Sequence, residues 1–86
     1  MPRLAGVFPN PTRGRATVRF GLPDARPVRL SLVDLLGRTV ATVADEVRAA
    51  GWHEVTVDTA ALAAGAYVLR LDAGDAVRVV RLAVAR

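Results

Sequence analysis

Three stretches of this 86-residue chain alternate apolar and polar residues at period two. In RATVRFGL, Ala16, Val18, Phe20 and Leu22 fall on one side, and Arg15, Thr17 and Arg19 on the other. In VRLSLVDL, Val28, Leu30 and Leu32 oppose Arg29 and Ser31; in AYVLRLDA, Tyr67, Leu69 and Leu71 oppose Val68, Arg70 and Asp72. Only a strand, whose side chains point alternately to opposite faces, sorts such residues into one apolar and one polar side. WHEVTVD adds a strand with Val55 and Val57 together, and VRVVRLAVAR supplies a last one. Turn signals separate them: PDARP, DLLGR with Gly37 free to take positive φ, and AGDA as a tight hairpin around Gly74 and Asp75. Strands punctuated every ~8–12 residues predict a β-sandwich or barrel, and no segment carries the long 3.6-residue period a helical bundle needs.

The remaining segments are read from local chemistry. RTVATV is expected as a short strand, and ADEVRAAG (residues 44–51) as a loop, since its modest helical propensity is too short to hold a helix. TAALAAG (residues 59–65) reads as a corner with room for one helical turn. An edge strand is expected at about residues 4–8, followed by FPNPTRG. Each proline there forces its predecessor into an extended conformation and removes a ladder donor. The prediction is a rigid crossover, extended but unable to pair, with TRG turning the chain into the next strand.

Residues 1–86 read as a single domain. Hydrophobic residues make up 52% of the chain, enough for a core, and the scarcity of aromatics (one Trp, one Tyr, two Phe) makes that core aliphatic. The core is expected to hold Val18, Phe20, Leu30, Leu32, Val55, Val57, Tyr67, Leu69 and Leu71. No cysteine is present, which removes disulfides, thiolate metal sites and a cysteine nucleophile. No apolar run approaches the ~20 residues of a membrane-spanning helix. The N-terminus shows no basic segment leading into an apolar one, so no signal peptide is expected, and the domain is read as a piece of a longer chain. All twelve basic residues are arginine, the net charge is +4, and the arginines are interspersed with acids. That pattern is unlike a nucleic-acid-binding stripe.

Chemistry finds little footing. The single histidine, His53, is expected as a solvated strand residue, and the single serine, Ser31, lies mid-strand. A Ser–His–Asp site would need these two singletons to meet. No Asp-x-Asp loop or glycine-rich phosphate loop occurs, which leaves calcium held by loop carbonyls as the one open metal reading. A small, filled sandwich offers no deep cleft, so neither catalytic residues nor a cofactor are expected. One local pattern is more specific. In immunoglobulin-like domains a tyrosine at the start of the sixth strand closes a corner through its hydroxyl, two residues before a core position. Tyr67 precedes Leu69 by two, and its hydroxyl is expected on the backbone near Leu62; an ordinary buried tyrosine is the alternative.

FPNPTRG, VRLSLVDLLGRTV, AAGWHEVTVD, LAAGAYVLRLDAG and a final strand ending in a basic residue occur in this order across nearly the whole chain. Together they resemble the type A C-terminal sorting domain of the bacterial type IX secretion system, and the related immunoglobulin-like domain of flagellar hook-capping proteins. The matching positions are Pro9, Asn10 and Pro11; Asp34, Gly37 and Arg38; Gly51; Gly65 and Tyr67; and the basic Arg81 and Arg86. The chain departs from the pattern in carrying arginine for the usual lysine near the end, and Val33 where an aromatic is common.

The resemblance implies an all-β, immunoglobulin-like antiparallel sandwich of about seven strands. It implies a non-catalytic module covalently attached to a secreted cargo, recognised by outer-membrane secretion machinery, and delivered through the periplasm to the exterior or cell surface, where cargo can be attached to anionic lipopolysaccharide. Two other readings stay open: a structural assembly domain of hook-capping type, and a carbohydrate-binding module whose aromatic platform would be Trp52. In a sandwich of this type the strands starting near Val28, Ala66 and Val77 lie side by side. With Val80, Leu82 and Val84 inward, Arg29, Arg70 and Arg81 would point outward. They would form a basic ridge, partly neutralised by Asp72 and flanked by Val77 and Val79. This ridge, with Arg86, is the expected docking surface for an acidic receptor or anionic glycolipid; a plain solvated face with weak ion pairs is the alternative.

Overall fold

A computed structural model describes residues 1–85. Seven strands follow one another: β1 (Arg3–Phe8), β2 (Arg15–Leu22), β3 (Arg26–Asp34), β4 (Thr39–Arg48), β5 (Gly51–Asp58), β6 (Gly65–Ala73) and β7 (Ala76–Val84). They form two antiparallel sheets, ordered β1-β2-β5 and β4-β3-β6-β7. The described residues contain no helix, and hence none long and apolar enough to cross a membrane. The expected all-β sandwich is thus present. Its strand order differs from the immunoglobulin constant arrangement, in which the fourth strand joins the first sheet. Here only residues 35–38 separate β3 from β4, and so short a connection folds β4 back as a hairpin on β3 instead of carrying it across to a sheet ~10 Å away.

The alternation read from the sequence sorts side chains as expected. Val18 and Phe20 from β2, Leu30 and Leu32 from β3, Leu69 and Leu71 from β6, and Leu82 from β7 are completely buried between the sheets. Val57 and Tyr67 join them. Val55 is only half-buried, packed at the margin, because β5 is the outer strand of the smaller sheet and one flank of it meets solvent.

Three local expectations are overturned. Residues 44–48 are not a loop: β4 runs through them, with Leu30 opposite Ala44, Val28 opposite Glu46 and Arg26 opposite Arg48. Pairing along β3 overrides the weak helical propensity. Residues 59–65 contain no helical turn; the corner is closed by the Leu62 amide donating to the Thr59 carbonyl (3.0 Å). His53 is not a solvated residue: it is half-buried, stacks on Phe20 with centroids 5.3 Å apart, and its Nε2 bonds the Ala49 carbonyl oxygen (2.8 Å). That bond braces the abrupt passage from β4 in one sheet to β5 in the other.

Leu69 sits at the centre of the core with no exposed surface. Replacing it with Ala removes three side-chain carbons and leaves a void. The expected loss is about 2–5 kcal/mol of unfolding free energy, read from urea denaturation of both proteins. A midpoint unchanged from the wild type would contradict this packing.

Candidate functional site

The Pro9, Asn10 and Pro11 segment carries the chain from β1 over the edge of the opposite sheet. Neither proline can donate a hydrogen bond, yet the segment pairs. The Asn10 side-chain amide donates to the Arg81 carbonyl (2.8 Å), and its Oδ1 accepts from the Ala83 amide (3.0 Å). The side chain thereby does for β7 what a neighbouring strand's backbone would do. Thr12 continues the contact in parallel: its amide donates to the Ala83 carbonyl (2.9 Å), and its carbonyl accepts from the Ala85 amide (2.8 Å). Thr12 is fully buried, and its hydroxyl donates to the Arg15 carbonyl (3.0 Å). The buried Thr59, just after β5, donates through its hydroxyl (2.6 Å) and its amide (2.7 Å) to the Gly14 carbonyl. The expected rigid crossover exists, but it is a clamp joining both sheets, which corrects the expectation that it could not pair.

Asp34, Gly37 and Arg38 form the β3–β4 turn. The Asp34 carboxylate accepts from the Leu36 amide, the Arg38 amide and the Arg38 guanidinium, each at 2.9 Å. The Asp34 amide donates to the Arg38 carbonyl (2.9 Å), and the Gly37 amide donates to the Asp34 carbonyl (3.1 Å). Gly37 has φ +85°, a left-handed conformation that a β-carbon would strain. Hydrogen bonds from the Arg38 amide, the Arg38 guanidinium and the Leu36 amide hold the Asp34 carboxyl below its ordinary value, against the opposing pull of burial. With the carboxylate committed inward, the turn exposes Leu35 (72%) and Leu36 (78%) at its tip.

Gly65 opens β6 opposite Val84, and Tyr67, two residues on, is buried. The Tyr67 hydroxyl donates to the Ala63 carbonyl (2.6 Å), one residue beyond the expected partner, and closes the corner between β5 and β6. Gly51 opens β5 opposite Leu22. Beside it Trp52 lies over Gly21: a β-carbon there would come within 2.9 Å of the indole, so only glycine leaves room for the ring. The Arg19 guanidinium stands 4.7 Å from the ring centroid. Trp52 is 54% exposed, but with Gly21 and Arg19 against it the ring is engaged within the protein.

Arg29, Arg70 and Arg81 project from the outer face of the four-stranded sheet, on adjacent strands β3, β6 and β7, and all three are exposed. Their register is diagonal: Arg70 lies opposite Ser31 and Val79, Arg81 opposite Val68. They are not equivalent. Arg70 is tied to Asp72, Nη2 to Oδ1 at 3.1 Å, and Arg29 stands between Asp45 and Asp72 in cross-strand register. Arg81 makes no ion pair among the described residues, and Val77 and Val79 are exposed beside it. Arg86 lies outside the described residues. One feature on this face was invisible in the sequence. Arg29, Ser31, Val33, Gly37, Thr39, Arg70 and Asp72 surround a shallow groove, with the 5% exposed Ser31 in its floor. A small side chain among long ones creates the dip, and nothing in the linear pattern distinguishes that serine from any outward strand residue. Among the described residues there is no group of three or more His, Asp or Glu side chains placed to hold a metal ion.

Two measurements check these local assignments. Asn10→Ala removes both side-chain bonds to β7 and is expected to cost about 1–2 kcal/mol in unfolding free energy. For Asp34 the folded-state pKa is depressed, so the unfolded chain binds the proton more readily. The stabilisation from this turn is full above the ordinary aspartate value of ~3.9 and is lost as pH falls through the lower folded value. In Asp34→Asn that part of the acid-side stability slope is expected to vanish, as measured by thermal melts across the acid range.

One comparison with known proteins gives a match. The family described as "Secretion system C-terminal sorting domain" matches residues 6–85. No curated protein sequence matches the chain, and no solved structure does. The matched span contains the Asn10 clamp, the Asp34 turn, the Tyr67 corner and all seven strands except the start of β1. The chain therefore belongs to the C-terminal sorting domains of type IX secretion, the sorting signals of the larger proteins that carry them.

Proposed function

We propose that the outer-membrane translocon of the type IX system reads this domain through the outer face of the sheet β4-β3-β6-β7, and that the exported cargo is then held at the cell surface. One observation carries the proposal: Arg29, Arg70 and Arg81 share one exposed face with the exposed Val77 and Val79. Cations beside apolar groups on a rigid sheet suit a contact surface, where the charges guide encounter and the apolar groups gain from burial. Arg81 is the member best placed for an external anion, since Arg70 is already engaged by Asp72. The same cations suit carboxylates of an acidic receptor and the anionic groups of lipopolysaccharide. Nucleic acid is not the proposed partner, because acids interrupt the basic face instead of leaving a continuous stripe.

The domain fused to a reporter enzyme, in a host with this secretion system, tests the reading. Changing Arg29, Arg70 and Arg81 together to Ser is expected to lower surface display of the reporter while the melting temperature of the purified domain stays close to wild type. Display at the wild-type level would eliminate this face as the docking surface.

A further inference from the structure

The β3–β4 turn combines two properties. It is fixed in shape by an internally satisfied carboxylate, and it places two large apolar side chains in water. Exposed leucines on a mobile loop would gain little on binding, because ordering the loop costs conformational entropy. Here Asp34 has already ordered the backbone on both sides of Leu35 and Leu36. Contact energy at that tip is therefore available to binding instead of being spent on folding the loop.

The groove over Ser31 adjoins this tip. Gly37 and Thr39, from the turn and the start of β4, line it together with Arg29, Arg70 and Asp72. Ser31 is 5% exposed; its hydroxyl makes no hydrogen bond among the described residues and reaches solvent through the groove, the buried unpaired side-chain atom of the described residues being Arg48 Nε instead. A hydroxyl at the floor of a concave surface, open to solvent and with no protein partner, is placed to bond a group that enters from outside. The ionised side chains around it are two arginines and one aspartate, the aspartate already held by Arg70. Arg29 has Asp45 across from it on β4 but makes no ion pair among the described residues, so its guanidinium can meet a single incoming carboxylate.

We infer that this corner is a preorganised protein-docking element: Leu35 and Leu36 enter an apolar socket on a partner protein, and a carboxylate of that partner enters the groove to meet Arg29 and Ser31. The inference rests on the sorting reading for the identity of the partner, which is a component of the secretion machinery. A protein fits better than a lipid bilayer for two reasons. Two leucines form a narrow anchor instead of a broad apolar face, and a concave groove with an acid in its rim is filled by a side chain, not by a planar headgroup layer.

The test uses the reporter fusion with three variants: Leu35→Ser with Leu36→Ser, Arg29→Gln, and Ser31→Val. The leucines and Arg29 are exposed, and at Ser31 valine suits a strand and has the open groove above it, so all three are expected to melt like wild type. Exported reporter is expected to fall about tenfold or more for the leucine pair, and severalfold for Arg29→Gln and Ser31→Val. Export of the leucine variant at the wild-type level overturns the inference while the sorting reading stands, because the unaltered domain still exports its reporter in the same assay. A fall for the leucine pair with none for Arg29→Gln and Ser31→Val overturns the groove as part of the element. If the unaltered domain fails to export, the sorting reading falls and takes this inference with it. Sedimentation with vesicles of phosphatidylglycerol and phosphatidylcholine supplies the remaining arm: binding by the wild-type domain that the leucine variant loses would assign the tip to a bilayer and overturn the protein partner.

Discussion

A side chain that behaves as a backbone holds the two sheets in their relation. Asn10 offers one donor and one acceptor with the spacing of a peptide group, and both are taken by β7. Between two prolines the main chain has lost the donors that strand pairing requires, so the amide of Asn10 is the group left to pair there. Aspartate could accept from Ala83 but could not donate to Arg81, and a serine is too short to reach both. Thr12 and Thr59 extend the same seam inward as buried hydroxyls whose partners are carbonyls of neighbouring segments. Burial makes these bonds obligatory, because an unpaired hydroxyl in the interior costs more than the bond gains. The aliphatic core supplies most of the driving force for collapse, and the seam fixes which edge meets which.

The outer face of the larger sheet follows a different logic. Its polar groups are arranged for solvent or a partner, with little internal pairing beyond Arg70 and Asp72. Exposed pairs of that kind contribute little stability, so their residue types are free to answer to recognition. The same sheet carries the hydrogen-bonded Asp34 hairpin tip and the unpaired cation of Arg81. A stable inner face and a permissive outer one let a single sheet serve both folding and contact.

The sequence made the strands legible where one face of each is buried. β2, β3 and β6 alternate cleanly because each lies inside its sheet, with the core on one side and water on the other. β4 was misread in its second half because an edge strand has a solvent flank, and ADEVR pairs without needing an apolar stripe. The motif positions around Asp34 and Tyr67 were legible through local chemistry, since their partners lie within four residues. Asn10 was not, because its partners lie 71 and 73 positions away, and a side chain standing in for a strand leaves no periodic trace. The groove over Ser31 was hidden for the same reason: its walls come from three strands that are neighbours only after folding.

The clamp at β7 also bears on how such a domain behaves in a crowd. An open sheet edge is a template for pairing with another copy, and sandwiches have four of them. On β7 the Asn10 and Thr12 contacts occupy the edge near its end. On β4 the register with β3 slips twice, and on β1 the register with β2 slips between Leu4 and Gly6, so neither offers a flat, regular ladder. Pro9, immediately beyond β1, blocks extension of that edge. Only β5 and the first half of β7 keep regular borders. Most margins of the sandwich thus offer a second copy no flat ladder to extend. The Pro-Asn-Pro motif, whose first effect is to close the sandwich, is also a safeguard against aggregation.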